Sequence, residues 1–195
     1  MRMTKAQKEE ARGAIVESAG RLFREQGLTG IGVDAIAKDT GQTSGAIYAH
    51  FASKADMFRS AVEAGFVRLR QGINRVRDAK KNRWVGSFAS QYLSPDHRAA
   101  IGNGCLLPTL TLDVGRAGGP LREIFGEQFL ETAKALAEGF ESTRKREAEE
   151  RAFVILALCA GGLMLSRAAP DGNLANRILS ACRAAAEREA ELPEG

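Results

Sequence analysis

Residues Gly41 to Lys54, reading GQTSGAIYAHFASK, constrain the fold more than any other stretch of this 195-residue chain. They follow a short amphipathic segment, Val33 to Thr40. The order is helix, tight glycine turn, a second helix of small residues, then an aromatic and basic ending. That is the pattern of a helix-turn-helix, whose second helix enters the major groove of duplex DNA. Gly41 can take the positive φ of the turn, and Thr43 is a good cap for a helix predicted over Ser44 to Phe51. Ser44, Gly45 and Ala46 are small enough to let the backbone approach a duplex. Thr43 can reach a phosphate, Tyr48 and His50 carry donors for phosphate oxygens, and Lys54 adds a positive charge. Gln42, in the turn, is placed to face the DNA. Ile47 and Phe51 are expected to point inward.

The charge distribution agrees. Residues 1–83 hold 16 of the 28 Lys and Arg but 9 of the 24 Asp and Glu, a balance of +7 against −3 for the remainder. Positive charge gathered around the motif is the footprint of a phosphate-binding module. The later cluster Arg68, Arg70, Arg75, Arg77, Lys80, Lys81 and Arg83 reads as a solvated helix face.

Apolar periodicity predicts helices throughout and no strand, so the fold class is all-α. A first helix runs from about Thr4 to Gln26, burying Ile15, Ala19, Leu22, Phe23 and Gln26, with Gly27 as its stop and Leu28 to Gly32 as a loop. Ser53 and Asp56 form a capping box for a long fourth helix through Met57, Phe58, Ala61, Val62, Phe66, Leu69 and Ile73, ending near Asn82. Trp84 to Tyr92 is a fifth helix, and Ser94-Pro95 starts a sixth. Helices follow from Cys105 to Val114, Leu121 to about Thr143, Glu147 to Ala168 and Leu174 to Glu189. Leu192 to Gly195 reads as a frayed tail. A DNA-binding domain is expected over 1–52 and a larger helical domain over 53–195.

Other function classes are poorly provisioned. HExxH, GxSxG and a phosphate-cradling loop are all absent, and His97 is the only histidine besides His50. No catalytic residue, metal site or cofactor is expected. Cys105, Cys159 and Cys182 form no CxxC pair and suit a reduced, cytoplasmic compartment. The apolar run Ala152 to Ser166 falls short of the roughly 18 residues of a membrane span, so a core or interface helix is expected rather than a membrane partner.

Ile15-Val16 through Leu22-Phe23 and Gly27, Val33 with Ile36-Ala37, Gly41, Thr43, Gly45, Ile47-Tyr48, His50-Phe51 and Ser53-Lys54 run in unbroken register. In these positions the chain resembles the TetR/AcrR family of bacterial one-component transcriptional repressors, by motif over roughly residues 8–60. It departs at Ile31-Gly32, where the family often has a Thr/Ser pair, and at Gln42, where a small aliphatic usually packs the turn.

The resemblance implies a homodimeric repressor on a palindromic double-stranded DNA operator, released by a small-molecule effector. The dimer would form through the last two long helices. Candidate interface residues are Phe153, Leu156, Ala160, Leu163, Met164, Ile178 and Ala181, and the first of these helices is apolar around nearly its whole circumference. Gly161-Gly162 would allow close helix approach. Candidate ligand-lining residues are Trp84, Phe88, Tyr92, His97, Cys105, Thr109, Phe125 and Phe129, with Asn103 as a further polar contact. The alternative is a helical ligand- or protein-interaction module that has lost DNA binding.

Overall fold

The computed structural model describes residues 4–80, 84–140 and 144–191, and every regular element within them is an α-helix. The expected ends at Asn82 and Thr143, the charges of Lys81 and Arg83, and the tail from Leu192 lie outside the described residues.

Helix α1 (Lys5–Gly30) opens on a capping box. Thr4 accepts the Gln7 N–H at 3.2 Å, and the Gln7 side chain accepts the Thr4 N–H at 2.8 Å. Gly27, at φ 75°, breaks the helix as its position suggested, but one more turn follows as far as Gly30. Leu28 N–H, which the break frees from its helical carbonyl, donates to the Asp113 carboxylate at 2.9 Å. Gln26 faces solvent rather than the core. Arg24 is the buried member of that turn, because its Nε donates to the Gly102 carbonyl at 2.7 Å.

Short helices α2 (Val33–Asp39) and α3 (Ser44–Tyr48) precede the long α4 (Lys54–Lys80). Helix α4 starts on Ser53, whose hydroxyl accepts the Asp56 N–H at 3.1 Å. The reciprocal bond reaches one residue further back than in a standard box, from Ala52 N–H to Asp56 at 3.2 Å. Helix α5 (Trp84–Tyr92) has the predicted bounds, and α6 (Pro95–Ala99) is capped by Ser94 onto the His97 N–H at 3.2 Å.

Helix α7 (Leu107–Ala117) stops at Gly118, φ 65°. Helix α8 (Gly119–Ala137) is shorter than its apolar pattern suggested. The chain turns at Gly139, packed against Trp84 and Val85, and Phe140 leaves the helix to lie 4.4 Å under the Arg151 guanidinium. Helices α9 (Lys145–Ala168) and α10 (Gly172–Glu191) complete the fold.

Two compact units result. The first comprises the chain up to Gly65 together with Ile101–Phe125. Its core contains Ile15, Ala19, Phe23, Ile36, Ile47, Phe51 and Phe58, with Phe23 and Phe58 meeting edge to face at 5.1 Å. The second comprises Phe66–Ala100 and everything from Gly126 onward. There α9 packs on α10, and both pack on α5. Gly162 is the close approach: a Cβ there would sit 2.8 Å from Cys182. Gly161 has open space around it.

Two arginines of the expected solvated face are tied down within the second unit. Arg70 donates to the Gln128 side chain at 2.9 Å and to Thr132 at 3.3 Å, and Arg77 pairs with Glu138. Helix α9 is the one helix among the described residues long and apolar enough to cross a membrane. Nearly half of its apolar stretch is buried inside the chain, as in a core helix. Arg151 and Arg167, flanking that run, donate to the backbone carbonyls of Glu189, Arg98 and His97.

Candidate nucleic-acid interface

The turn between α2 and α3 is built by the backbone. Thr40 N–H bonds to Ile36, Gly41 N–H to Lys38 and Gln42 N–H to Ala37, at 3.0, 3.2 and 2.8 Å. Gly41 sits at φ 65°, where a side chain would be strained. Thr43 then caps α3 by accepting the Ala46 N–H at 3.2 Å. Helix α3 ends at Tyr48, earlier than Phe51, because Ala49, His50 and Phe51 close it with bonds back to Gly45, Ala46 and Ile47.

Ile47 and Phe51 anchor this helix, at 0% and 1% exposure. The opposite face is presented outward. Tyr48 is 51% exposed, Thr43 and Gly45 are exposed, and Gln42, Ser44, Ala46, His50 and Lys54 are half-exposed. Thus the eight candidate DNA-contacting residues share one short, outward-facing segment on two consecutive helices and their turns. Gly32 stands at the N-cap of α2 without a side-chain bond, and Ile31 is buried, so this chain lacks a hydroxyl cap there.

Three groups that position the segment escape sequence reading. The Arg12 guanidinium lies 4.8 Å over the Phe51 ring and donates to Ser60 at 2.9 Å, joining α1 to the start of α4. Ser18 donates to Asp39 at 2.6 Å and Arg21 pairs with the same carboxylate, tying α2 to α1. The Ser18 hydrogen bond and then Arg21 hold the Asp39 carboxyl below its ordinary range. Ser44 donates to Asp34. All are pairs distant in sequence, so only knowledge of which faces meet would have found them.

The ligand-lining candidates divide between the two units. Trp84, Phe88 and Tyr92 are buried on α5, with Tyr92 meeting His97 edge to face at 4.6 Å. His97 accordingly bonds through Nδ1 to the Tyr92 carbonyl at 2.8 Å, and burial lowers its pKa. Phe129, half-buried on α8, stacks on Phe153 at 5.8 Å. Cys105, Thr109 and Phe125 belong to the first unit, where the Thr109 hydroxyl bonds to the Leu106 carbonyl at 3.1 Å. Two clefts of about 500 Å³ lie in the second unit. One is lined by Lys134, Phe140, Lys145 and Glu149, and the other by Ser87, Ser90, Gly139, Glu187 and Arg188. Burial pushes the Cys182 thiol up, away from the reactive thiolate.

Among the interface candidates, Leu156 and Leu163 lie fully inside the chain's own core. Phe153, Ala160 and Ile178 are half-buried, Ala181 is exposed, and Met164 is 45% exposed. The outward apolar residues of α9 are instead Val154, Ala157, Met164 and Leu165, with Leu174 beside them in the chain on α10.

A capped five-residue helix, held outward by two buried side chains across a glycine turn from its neighbour, makes the first unit a helix-turn-helix DNA-binding domain. Residues 15–61 match the family model described as bacterial regulatory proteins, tetR family. The chain is 46% identical over 57 residues to the HTH-type transcriptional regulator AcrR of Shigella flexneri, covering 29% of this chain and about a quarter (26%) of that one. It is 28% identical over 167 residues to the HTH-type transcriptional regulator LmrA of Bacillus subtilis, covering 83% and 89% of the two chains.

Its fold is similar to that of a TetR-family regulator from Cytophaga hutchinsonii, with a TM-score of 0.76 at 20% identity over 97% of this chain and 96% of that one. The reduced form of Escherichia coli NemR matches with a TM-score of 0.75 at 18% identity, over 92% and 96%. Residues 15–61 thus carry a helix-turn-helix similar to that of tetR-family DNA-binding regulators, and the fold of the whole chain is similar to that of TetR-family transcriptional regulators.

Proposed function

We propose that this regulator is a homodimeric repressor that occupies a palindromic operator in the cytoplasm and leaves it when a small molecule binds its second unit. The observation that carries the dimer is the outer face of α9. Val154, Met164 and Leu165 are 44%, 45% and 56% exposed, while Ile155, Leu156, Cys159 and Leu163 on the same helix are at 0%. A helix apolar on both sides, with only one covered by its own chain, calls for a second copy. Ala157 and Gly161 are small and lie between the larger exposed residues, and Ile178 and Ala181 would extend the contact along α10.

Two copies would present two α3 helices to successive major grooves, with Thr43, Tyr48, His50 and Lys54 on phosphates and Gln42, Ser44, Gly45 and Ala46 toward the bases. Helix α4 is continuous for 27 residues, roughly 40 Å at 1.5 Å per residue, from Lys54 to Lys80. A small rotation of α4 on effector binding would alter the separation of the two reading helices. For the effector we favour the neighbourhood of Trp84 and Phe129. Cleft-lining Gly139 backs directly onto the Trp84 indole, and about 500 Å³ lies within the range of small-molecule sites.

The test combines three measurements on the intact chain: sedimentation for the dimer, gel-shift on its own promoter region, and Trp84 fluorescence during a screen of small molecules. Trp84 is the only tryptophan, so its signal is unambiguous. A compound that changes the fluorescence and lowers operator affinity supports the reading. Tight binders that all leave operator affinity unchanged defeat the inducer mechanism.

A further inference from the structure

Thr43 and Ser44 are neighbouring hydroxyls at the start of α3, and the structure gives them opposite polarity. Thr43 Oγ accepts the Ala46 N–H at 3.2 Å, so its own proton stays available to an outside acceptor. Ser44 Oγ spends its one proton on the Asp34 carboxylate, in the first turn of α2. A carboxylate only accepts, which settles the direction of that bond. What Ser44 has left is two lone pairs, and their next partner must be a donor.

Phosphate oxygens are acceptors and are therefore mismatched to Ser44, and the Asp34 charge beside it repels them further. In the major groove the donors are the exocyclic amines, N6 of adenine and N4 of cytosine. We propose that Asp34 fixes Ser44 as an acceptor toward DNA, so that Ser44 reads a base amine while the adjacent Thr43 hydroxyl serves a phosphate. The inference rests on the reading of α3 as the helix that enters the groove. It makes Asp34, an acidic residue beside a DNA-facing surface, a positioning residue for specificity.

The experiment uses the full-length chain, its Ser44→Ala, Asp34→Asn and Asp34→Ala variants, and a randomised duplex DNA library at one fixed salt concentration. All four should melt alike, since the Ser44–Asp34 bond is exposed. The parent should enrich a motif with a preferred amine-bearing base at one position of each half-site. Ser44→Ala should relax that position alone, by about two- to tenfold, the worth of one neutral hydrogen bond. Asp34→Asn retains an amide oxygen to take the Ser44 proton, so it should keep the preference while binding every sequence more tightly. Asp34→Ala frees the hydroxyl and should admit guanine or thymine at that position.

Two results would overturn the proposal: a motif unchanged by Ser44→Ala, or an equal loss on all sequences, the mark of a phosphate contact. A parent that enriches no motif would remove the groove-entry reading as well. A parent motif indifferent to all three substitutions would remove this proposal alone.

Discussion

Gly139 and Gly162 occupy places where one added methyl group has no room. A Cβ at Gly139 would lie 2.4 Å from Val85 and 2.6 Å from the Trp84 ring, both buried and unable to move aside. At Gly162 it would meet Cys182 and Leu93 at 2.8 and 3.0 Å. Replacing either with alanine should lower the free energy of unfolding by about 1–3 kcal/mol, read from urea melts. Gly102→Ala is expected to cost less, because the nearest atoms belong to the flexible side chain of Glu25.

His97 gives a second prediction at this scale. Burial lowers its pKa below 6.5, so between that value and the folded one the unfolded chain binds more protons than the native chain. Stability contributed by neutral His97 is present above pH 6.5 and is lost as pH falls through that window. The parent should therefore lose more thermal stability between pH 7.5 and 5.5 than His97→Gln does. Scanning calorimetry at the two pH values measures the difference.

Helices are where sequence and structure agree best, and their ends are where they part. The 3.6-residue period of apolar side chains marks α4, α5 and α10 plainly, because each buries one face against a neighbour, while α9 is marked by a continuous apolar run. The ends depend on what a terminus meets. Helix α8 stops at Ala137 because Gly139 must fit against Trp84, and α1 survives Gly27 because Asp113 takes up the freed Leu28 N–H. Neither partner is near in sequence.

The Gly161-Gly162 pair divides in the same way. Gly162 serves packing between α9 and α10, whereas Gly161 faces open space that a second copy would fill. Gly161→Leu and Met164→Glu should each shift the chain toward monomer in sedimentation, with helical content unchanged. Both sites are accessible in the single chain, so the expected loss lies in association rather than in folding.

For the whole molecule, DNA binding was legible because its residues lie within one uninterrupted stretch, 41–54, whose spacing is dictated locally. A candidate effector site was not, since an aromatic such as Tyr92 or Phe88 at helical spacing looks the same whether it lines a cavity or fills a core. Here both fill the core, with exposures of 5%. Binding by phosphate contact also carries a global signature. Operator affinity should fall steeply from 50 to 200 mM salt, and Lys54→Ala or Tyr48→Phe should weaken all duplexes alike, with Lys54→Ala flattening the salt slope by about one. A titration series by fluorescence anisotropy settles both points.

The bond from Leu28 to Asp113 and that from Arg24 to Gly102 place residues 101–125 in the same unit as the helix-turn-helix. A chimera that joins one regulator's reading head to another's sensor through a single cut would separate these partners. A seam at residue 52 or 65 here would leave a foreign first helix facing Asp113 and the Gly102 carbonyl. A working chimera of this chain needs three splice points, after residues 65, 100 and 125, so that the 101–125 insert travels with the head it was built to hold.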